Sequence, residues 1–496
     1  MLEALVIGAL NLINPTVLVS MLAGILVGLV VGILPGIGVM ITYALCLPFI
    51  FGMPPAVAIG FLIALASVTT TSGSITAALL SIPGESSSAA GMLDSYPMTQ
   101  KGEGGRAIGA AVFSSLAGGT LPVFFALLMI PVLVPILLAF KSPEKCLLVL
   151  LGLSFIAVLT GRSPTRGLIA GLFGLLLTLI GFDTATGTPR FTFGSIFLVD
   201  GLRIEVIALG LFGLSELLDM FLQEQTSIAQ VEGKLSGVLD GVKDVIRYKW
   251  LWLRSAIIGY IVGLLPGTGS HMATWVCYAQ AKLTSKHPEK FGTGAIEGVI
   301  APESANNAKE AGALLTTLAF GIPGNAPMAI LMGAFLLVGV TPGPEMMTSN
   351  LPLAFTLLLG VALANVVGGI ICLFCARPLS RLAFVHTDFL FPIILILIFV
   401  GAFVTLGDMT NVVVAVLFGL LGFFMKRFDY PRAAMILGFV LGGLFEYYLW
   451  LSLKVSGPLF FLTPISLTMI AVMIGLFSYA YLRKTFARLR KETEKT

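Results

Sequence analysis

Gly28–Gly38 reads GLVVGILPGIG, and Gly259–Gly269 reads GYIVGLLPGTG. The glycines, a leucine and the proline coincide at an offset of 231 residues. Leu79–Gly84 (LLSIPG) and Ala319–Gly324 (AFGIPG) coincide at an offset of 240. Farther on, Phe173–Leu176 and Phe418–Leu421 both read FGLL, and Phe182-Asp183 is matched by Phe428-Asp429. The matches keep their order and the offset grows slowly, as insertions would make it. The chain is therefore a duplication. Its halves are 1–225 and 251–482, joined by a polar linker at 226–250 and followed by a basic tail at 483–496.

Lipid is the solvent for these halves. Of 496 residues, 57% are hydrophobic and 11% charged, against about 25% charged in soluble domains. A helix needs roughly 20 apolar residues to cross the hydrocarbon core. Leu351–Ala376, Phe389–Leu406 and Leu459–Leu482 each supply such a run. The expected fold is an all-α polytopic membrane protein. Glu3 and the missing basic n-region argue against a cleavable signal, so residues 1–16 should lie along the interface or begin the first helix.

Several function classes are excluded. A net charge of +4 with no basic stripe does not suit nucleic acid. There is no phosphate-cradling G-x-x-x-x-G-K-[ST] loop and no metal-ligand spacing of the H-E-x-x-H or paired C-x-x-C type. Cys372 and Cys375 sit inside an apolar run, where thiolate chemistry is disfavoured. Only Ser, Asn, Glu303 and Lys309 could furnish intramembrane catalysis, so no enzyme and no cofactor are expected.

Charge placement bears on how the halves are related. Lys282/Lys286/Lys290, Arg377/Arg381, Lys426/Arg427 and the tail all fall on one side for a count of one, two, two and two crossings, while the loops near Pro342 and Gly407 carry no Lys or Arg. Lys and Arg mark cytoplasmic loops. In the first half Lys101/Arg106 and Arg162/Arg166 align with those uncharged loops, the opposite bias. Inverted repeats are expected, with the linker facing outward. Asp94, Lys101, Glu103 and Arg106 read as a wet loop, and Asp183 and Asp429 as caps on helix ends.

Each half opens on a helix broken at L-P-G-x-G, where proline removes a donor and glycine tolerates unusual dihedrals. Paired discontinuous helices point to a midplane site. Pro35, Gly36, Pro266 and Gly267 are thus candidate ion-coupling positions. Each half continues with a small-residue hairpin ending in I-P-G. The first, Ser67–Gly84, is rich in hydroxyls and is followed by Glu85 and three serines. Ser72, Ser74, Gly84, Ser86 and Ser87 are candidate anion ligands, because a helix start offers free N–H groups and positive dipole charge. In the second half, APESANNAKE (Ala301–Glu310) lies between apolar flanks. Ionisable residues at membrane depth are expensive and usually functional. Glu303 and Asn307 share a helix face, as do Asn306 and Glu310. Asn306, Asn307, Gly324 and Asn325 join the candidate substrate ligands. Glu303 and Asn307 are candidates for ion coupling, by carrying a proton or by ligating sodium with carbonyls.

The pair LPGIG and LPGTG, the string IPG…LDSYPM (82–98) and FGTGAIEGVIAPESANNAKEAGALL (291–315) followed by GIPG resemble the large membrane subunit of the tripartite tricarboxylate transporter family. The resemblance covers essentially the whole chain. It implies a secondary transporter of small carboxylates in the bacterial inner membrane, working with a small membrane subunit and a periplasmic solute-binding protein. Two positions depart from the family pattern. Thr71-Ser72-Gly73-Ser74 stands where the family has Tyr-Gly-Gly-Ser, and Asp94-Ser95-Tyr96-Pro97 where it has Asp-Gly-Tyr-Pro. Both flank the first candidate site and bear on substrate identity. A channel lined by the glycine-rich breaks is the alternative reading.

Overall fold

The computed structural model describes residues 1–34, 37–82, 84–159, 163–183, 186–222, 236–266, 270–382, 387–475 and 478. Pro35, Gly36 and Gly267 of the expected helix breaks lie outside them, as does the basic tail. The first half contains α1 (Leu2–Leu12), α2 (Pro15–Ile33), α3 (Val39–Ile50), α4 (Pro55–Leu80), α5 (Ala89–Gln100), α6 (Gly104–Leu138), α7 (Ser142–Leu159), α8 (Pro164–Leu177), α9 (Ile204–Ala208) and α10 (Ser215–Leu222). A π-helical turn, Leu209–Leu214, joins α9 to α10. α11 (Val238–Arg247) belongs to the linker. The second half contains α12 (Lys249–Leu264), α13 (Ser270–Thr284), α14 (Glu297–Phe320), α15 (Ala326–Leu337), α16 (Leu351–Leu382), α17 (Thr387–Val404), α18 (Met409–Arg427) and α19 (Arg432–Ser456). Among the described residues, extended structure is confined to a short hairpin, Gly181–Phe182 against Pro189–Arg190. Among the described residues, six helices are long and apolar enough to cross a bilayer: α2, α4, α6, α18, α19 and most of α16.

The offsets read from sequence reappear as contacts. Thr76 Oγ1 donates to the Ile33 carbonyl at 2.8 Å, and Thr316 Oγ1 donates to the Leu264 carbonyl at 3.0 Å. Ile33 and Leu264 are the last residues of α2 and α12, whose terminal carbonyls have no partner within their own helix. Each hairpin helix thus satisfies the end of the broken helix beside it. Gly28 and Gly32 lie against the backbone of Leu65 and Thr69, and Gly259 and Gly263 against that of Ala305 and Lys309. A Cβ at any of the four would strike main chain. The hairpin helices also end alike, on a left-handed residue: Ser81 (φ 56°) after α4 and Gly321 (φ 65°) after α14.

These contacts fix directions. Gly28 beside Leu65 and Gly32 beside Thr69 make α2 parallel to α4, so α3 carries the chain back between them. α12 and α14 repeat this arrangement, with α13 returning. Arg254, in the second turn of α12, donates to Thr284 at the end of α13 over 2.9 Å. Between the halves the sense reverses. Ser74 meets Glu303 while Thr71 meets Asn307, so α4 and α14 run antiparallel.

Three expectations are corrected here. The linker does not face the side opposite Lys282–Lys290. Arg254 and Thr284 join its far end to the 285–290 loop, and Lys101 donates to the Thr293 carbonyl. Arg106 binds Asp244 of α11 at 2.6 Å, while Lys426 reaches Glu216 and Asp219 of α10, just before the linker. The hairpin course of α12 and α13 returns the chain to the side it left, where a single crossing was counted. Asp94, read as a wet loop residue, is fully buried in α5. Its Oδ1 accepts from the N–H groups of Gly292, Gly294 and Ala295, each at 2.8 Å, and its Oδ2 from the Tyr278 hydroxyl at 2.9 Å. A buried carboxylate needs such donors, and the glycine-rich turn before α14 supplies them. Asp183 does not cap a helix; it accepts from Thr186 in the short hairpin and pairs with Arg190. Asp429 follows the end of α18 at φ 57° and pairs with Arg166.

Candidate functional site

Ala301–Glu310 occupies the interior of α14, and nearly all of it is buried. A helix places residues three and four apart on neighbouring rows. Glu303, Asn306, Asn307 and Glu310 therefore form a polar stripe on an otherwise small-residue helix. α14 packs against α6 and α12 along its length and against α4, α5 and α16 at the stripe. Glycines make room: a Cβ at Gly91 would lie 2.7 Å from Glu303 Oε1, one at Gly118 would strike the Ser304 backbone, and one at Gly119 would strike Asn365.

Glu303 is 2% exposed. Its Oε2 accepts from Ser74 Oγ at 2.6 Å, Ser115 Oγ at 3.3 Å and Asn306 Nδ2 at 3.4 Å. Asn306 also donates to Ser88 Oγ at 3.5 Å. The backbone carbonyl and Oδ1 of Asn306 both accept from the buried Lys309 Nζ, at 2.7 and 2.8 Å. Lys309 pairs with Glu310 at 3.1 Å. Glu310 Oε2 accepts from Asn325 Nδ2 at 3.1 Å, and Asn325 Oδ1 caps α15 by accepting from Met328 N–H at 3.0 Å. A continuous chain of hydrogen bonds thus runs from the first hairpin, through α14, to the Pro-Gly turn of the second.

Asn307 faces a different set. Its Nδ2 donates to Asn365 Oδ1 at 2.6 Å, Thr71 Oγ1 at 2.8 Å and the Ser67 carbonyl at 3.2 Å. Asn365 Nδ2 donates to the Val361 carbonyl, so Asn365 must turn its oxygen to Asn307, and Asn307 must answer with nitrogen. Asn307 Oδ1 is left buried with no hydrogen-bond partner among the described residues, as is Ser87 Oγ. A buried acceptor without a donor costs about 1–3 kcal/mol, and a bound solute or ion would relieve it.

The expected ligands do not all converge. Glu303, Asn306 and Ser74 meet directly, and Asn325 joins them through Lys309 and Glu310. Ser72 turns away, donating to the Gly28 and Thr69 carbonyls where α2 packs on α4. Gly84 and Gly324 serve close packing, against Gly73 and Ala313. Pro266 stands just after the end of α12, half-buried. Ser86 opens a 3-10 turn leading into α5; its side chain lies outside the description. Sequence reading passed over Ser115, in the Ser114-Ser115 pair of α6, and Asn365, a lone polar residue in an apolar run of α16; a polar side chain at membrane depth is the signal that could have found them. It also passed over Ser67 and Thr71, one turn apart, and Glu85, whose Oε2 accepts from Val39 N–H at the start of α3.

A bundle of apolar helices around a buried polar stripe is the make-up of a membrane transport component. The family model for the tripartite tricarboxylate transporter TctA family matches residues 18–437, and the chain belongs to that family. Over 439 residues it is 34% identical to an uncharacterized 52.8 kDa protein of the TAR-I ttuC' 3' region of Agrobacterium vitis, spanning 88% of this chain and 87% of that protein. An uncharacterized protein of the TAR-II ttuC' 3' region of the same organism is 34% identical over 217 residues, 43% of this chain and 90% of that one. No solved structure matches significantly.

Proposed function

We propose that the chain is the translocating subunit of a secondary transporter that imports small di- or tricarboxylates across the bacterial inner membrane, driven by a sodium or proton gradient. The observation that carries this reading is the buried polar chain from Ser74 to Asn325, which ties the two hairpins together through α14. Family membership supports the substrate class, a small membrane subunit and a periplasmic solute-binding protein as partners. The antiparallel course of α4 and α14 supports inverted repeats, the arrangement that places a site where two repeats meet. The positive-inside rule then puts Lys101, Arg106, the linker and Lys282–Lys290 in the cytoplasm.

In this reading the carboxylate meets Ser74, Ser87 and Asn306 between the hairpins, with Lys309 as the buried counter-charge. Low dielectric makes such a charge pair strong. Asn307 Oδ1 and Glu303 are the acceptors left for a coupling cation or proton. Movement of the hairpins against α16–α19 would expose the site alternately.

The test is uptake of labelled citrate and smaller carboxylates into proteoliposomes holding the chain and its small subunit, under an imposed sodium or proton gradient, with and without the binding protein. Accumulation requiring both supports the reading and names the ion. Unitary currents without accumulation would replace it with a channel.

A further inference from the structure

Away from the polar stripe, a cavity of about 770 Å³ opens where α12 begins and α13 ends. Arg247, Arg254 and Lys286 line it, with Tyr248, Trp250 and Glu297. None of the three cations forms a salt bridge among the described residues, and Arg254 binds the neutral Thr284 hydroxyl. The arginine, lysine and glutamate side chains of the lining carry three positive charges against one negative.

The surroundings fix its depth. α11 carries Leu239 and Ile246 exposed at 71% and 58%, Trp250 is 74% exposed at the cavity rim, and Leu283 on the last turn of α13 is 85% exposed. An apolar rim beside Lys243, Arg247 and Lys249 suits the boundary of headgroups and acyl chains. The basic groups stand at headgroup level and the apolar ones beside them. A free phosphate would fill little of the space, since cavities of roughly 300–1,000 Å³ hold drug-sized ligands. We propose that this cavity binds the headgroup of an anionic phospholipid, with Arg247, Arg254 and Lys286 on its phosphate and Trp250 and Leu283 along its chains. Basic pockets between helices at the cytoplasmic surface recognise such headgroups. Because the site joins the linker to the second repeat, the lipid would brace that junction.

Quenching of tryptophan fluorescence by chain-brominated lipids tests this in detergent micelles. Brominated phosphatidylglycerol should quench the full chain at much lower mole fraction than brominated phosphatidylcholine. In Arg254→Gln/Lys286→Gln the preference should fall roughly twenty-fivefold, since each basic group contributes about a factor of five. Both side chains are exposed, so the fold should survive, as an unchanged size-exclusion profile would show; Arg247→Gln/Lys286→Gln is the second variant. Equal quenching by the two lipids, or an undiminished preference in both variants, overturns the proposal. Displacement of the anionic lipid by millimolar inorganic phosphate would also overturn it, in favour of a free-anion site.

Discussion

Lys309 and Glu310 are the residues whose removal is most informative. Breaking a buried ion pair by deleting one partner typically costs about 3–5 kcal/mol, whereas replacing both with apolar groups is often neutral. Lys309→Met should therefore lower the melting temperature in detergent markedly, and Lys309→Met/Glu310→Leu should recover much of the loss. Transport should be absent in both, because the counter-charge is gone. If the double variant transports normally, the pair is structural. Asn307→Ala should abolish uptake, and because it also removes the donor that serves Asn365, Thr71 and the Ser67 carbonyl, it should cost about 1–3 kcal/mol of stability in thermal unfolding. Glu303→Gln keeps shape and hydrogen-bonding capacity but removes the charge that Ser74 and Asn306 serve. Its uptake should fall at least about tenfold if this carboxylate carries the coupling, and thermal stability should hold.

Close glycine packing governs the elements. α2 on α4 and α12 on α14 approach until Gly32 and Gly263 touch the backbone of Thr69 and Lys309. A leucine there must push the paired helices apart, and overpacking of this kind costs about 1–3 kcal/mol. Gly32→Leu and Gly263→Leu should destabilise the protein by similar amounts in thermal unfolding, because the two positions are equivalent in the duplication. A large effect at only one would mean that the packing is not shared. Asn325→Ala removes both the cap of α15 and a donor to Glu310. Loss of a cap alone costs about 1 kcal/mol, so this variant should lose more than a cap at an exposed helix start would.

At the scale of the molecule, sidedness is the property most directly measured. Lys243, Lys286 and Lys101 stand at one end, and Thr348, beside Glu345 and Lys145, at the other. With the native cysteines replaced, Lys243→Cys and Lys286→Cys should react with a membrane-impermeant maleimide from one side only, and Thr348→Cys from the opposite side. Labelling of positions 243 and 286 from different sides would mean that α12 and α13 cross once, and the hairpin course would be wrong.

Sequence alone determined that the chain lives in lipid, that it is duplicated and that Ala301–Glu310 is exceptional. These follow from composition, from repeated strings and from charge where charge is costly, all of which are local quantities. It also singled out Glu303, Asn306 and Ser74, which meet in the structure, because polar residues in apolar runs announce themselves. Tertiary structure decided who meets whom. Ser72 and Ser74 look alike in the string, but a helix turns them about 200° apart, one to α2 and the other to Glu303. Asp94 looked wet because its donors, Gly292 to Ala295, lie some 200 residues away in the chain. The side on which the linker lies depended on whether α12 and α13 cross or return, and a break at Pro-Gly permits both. Only the packing of α12 against α14, with Arg254 on Thr284, selects the return.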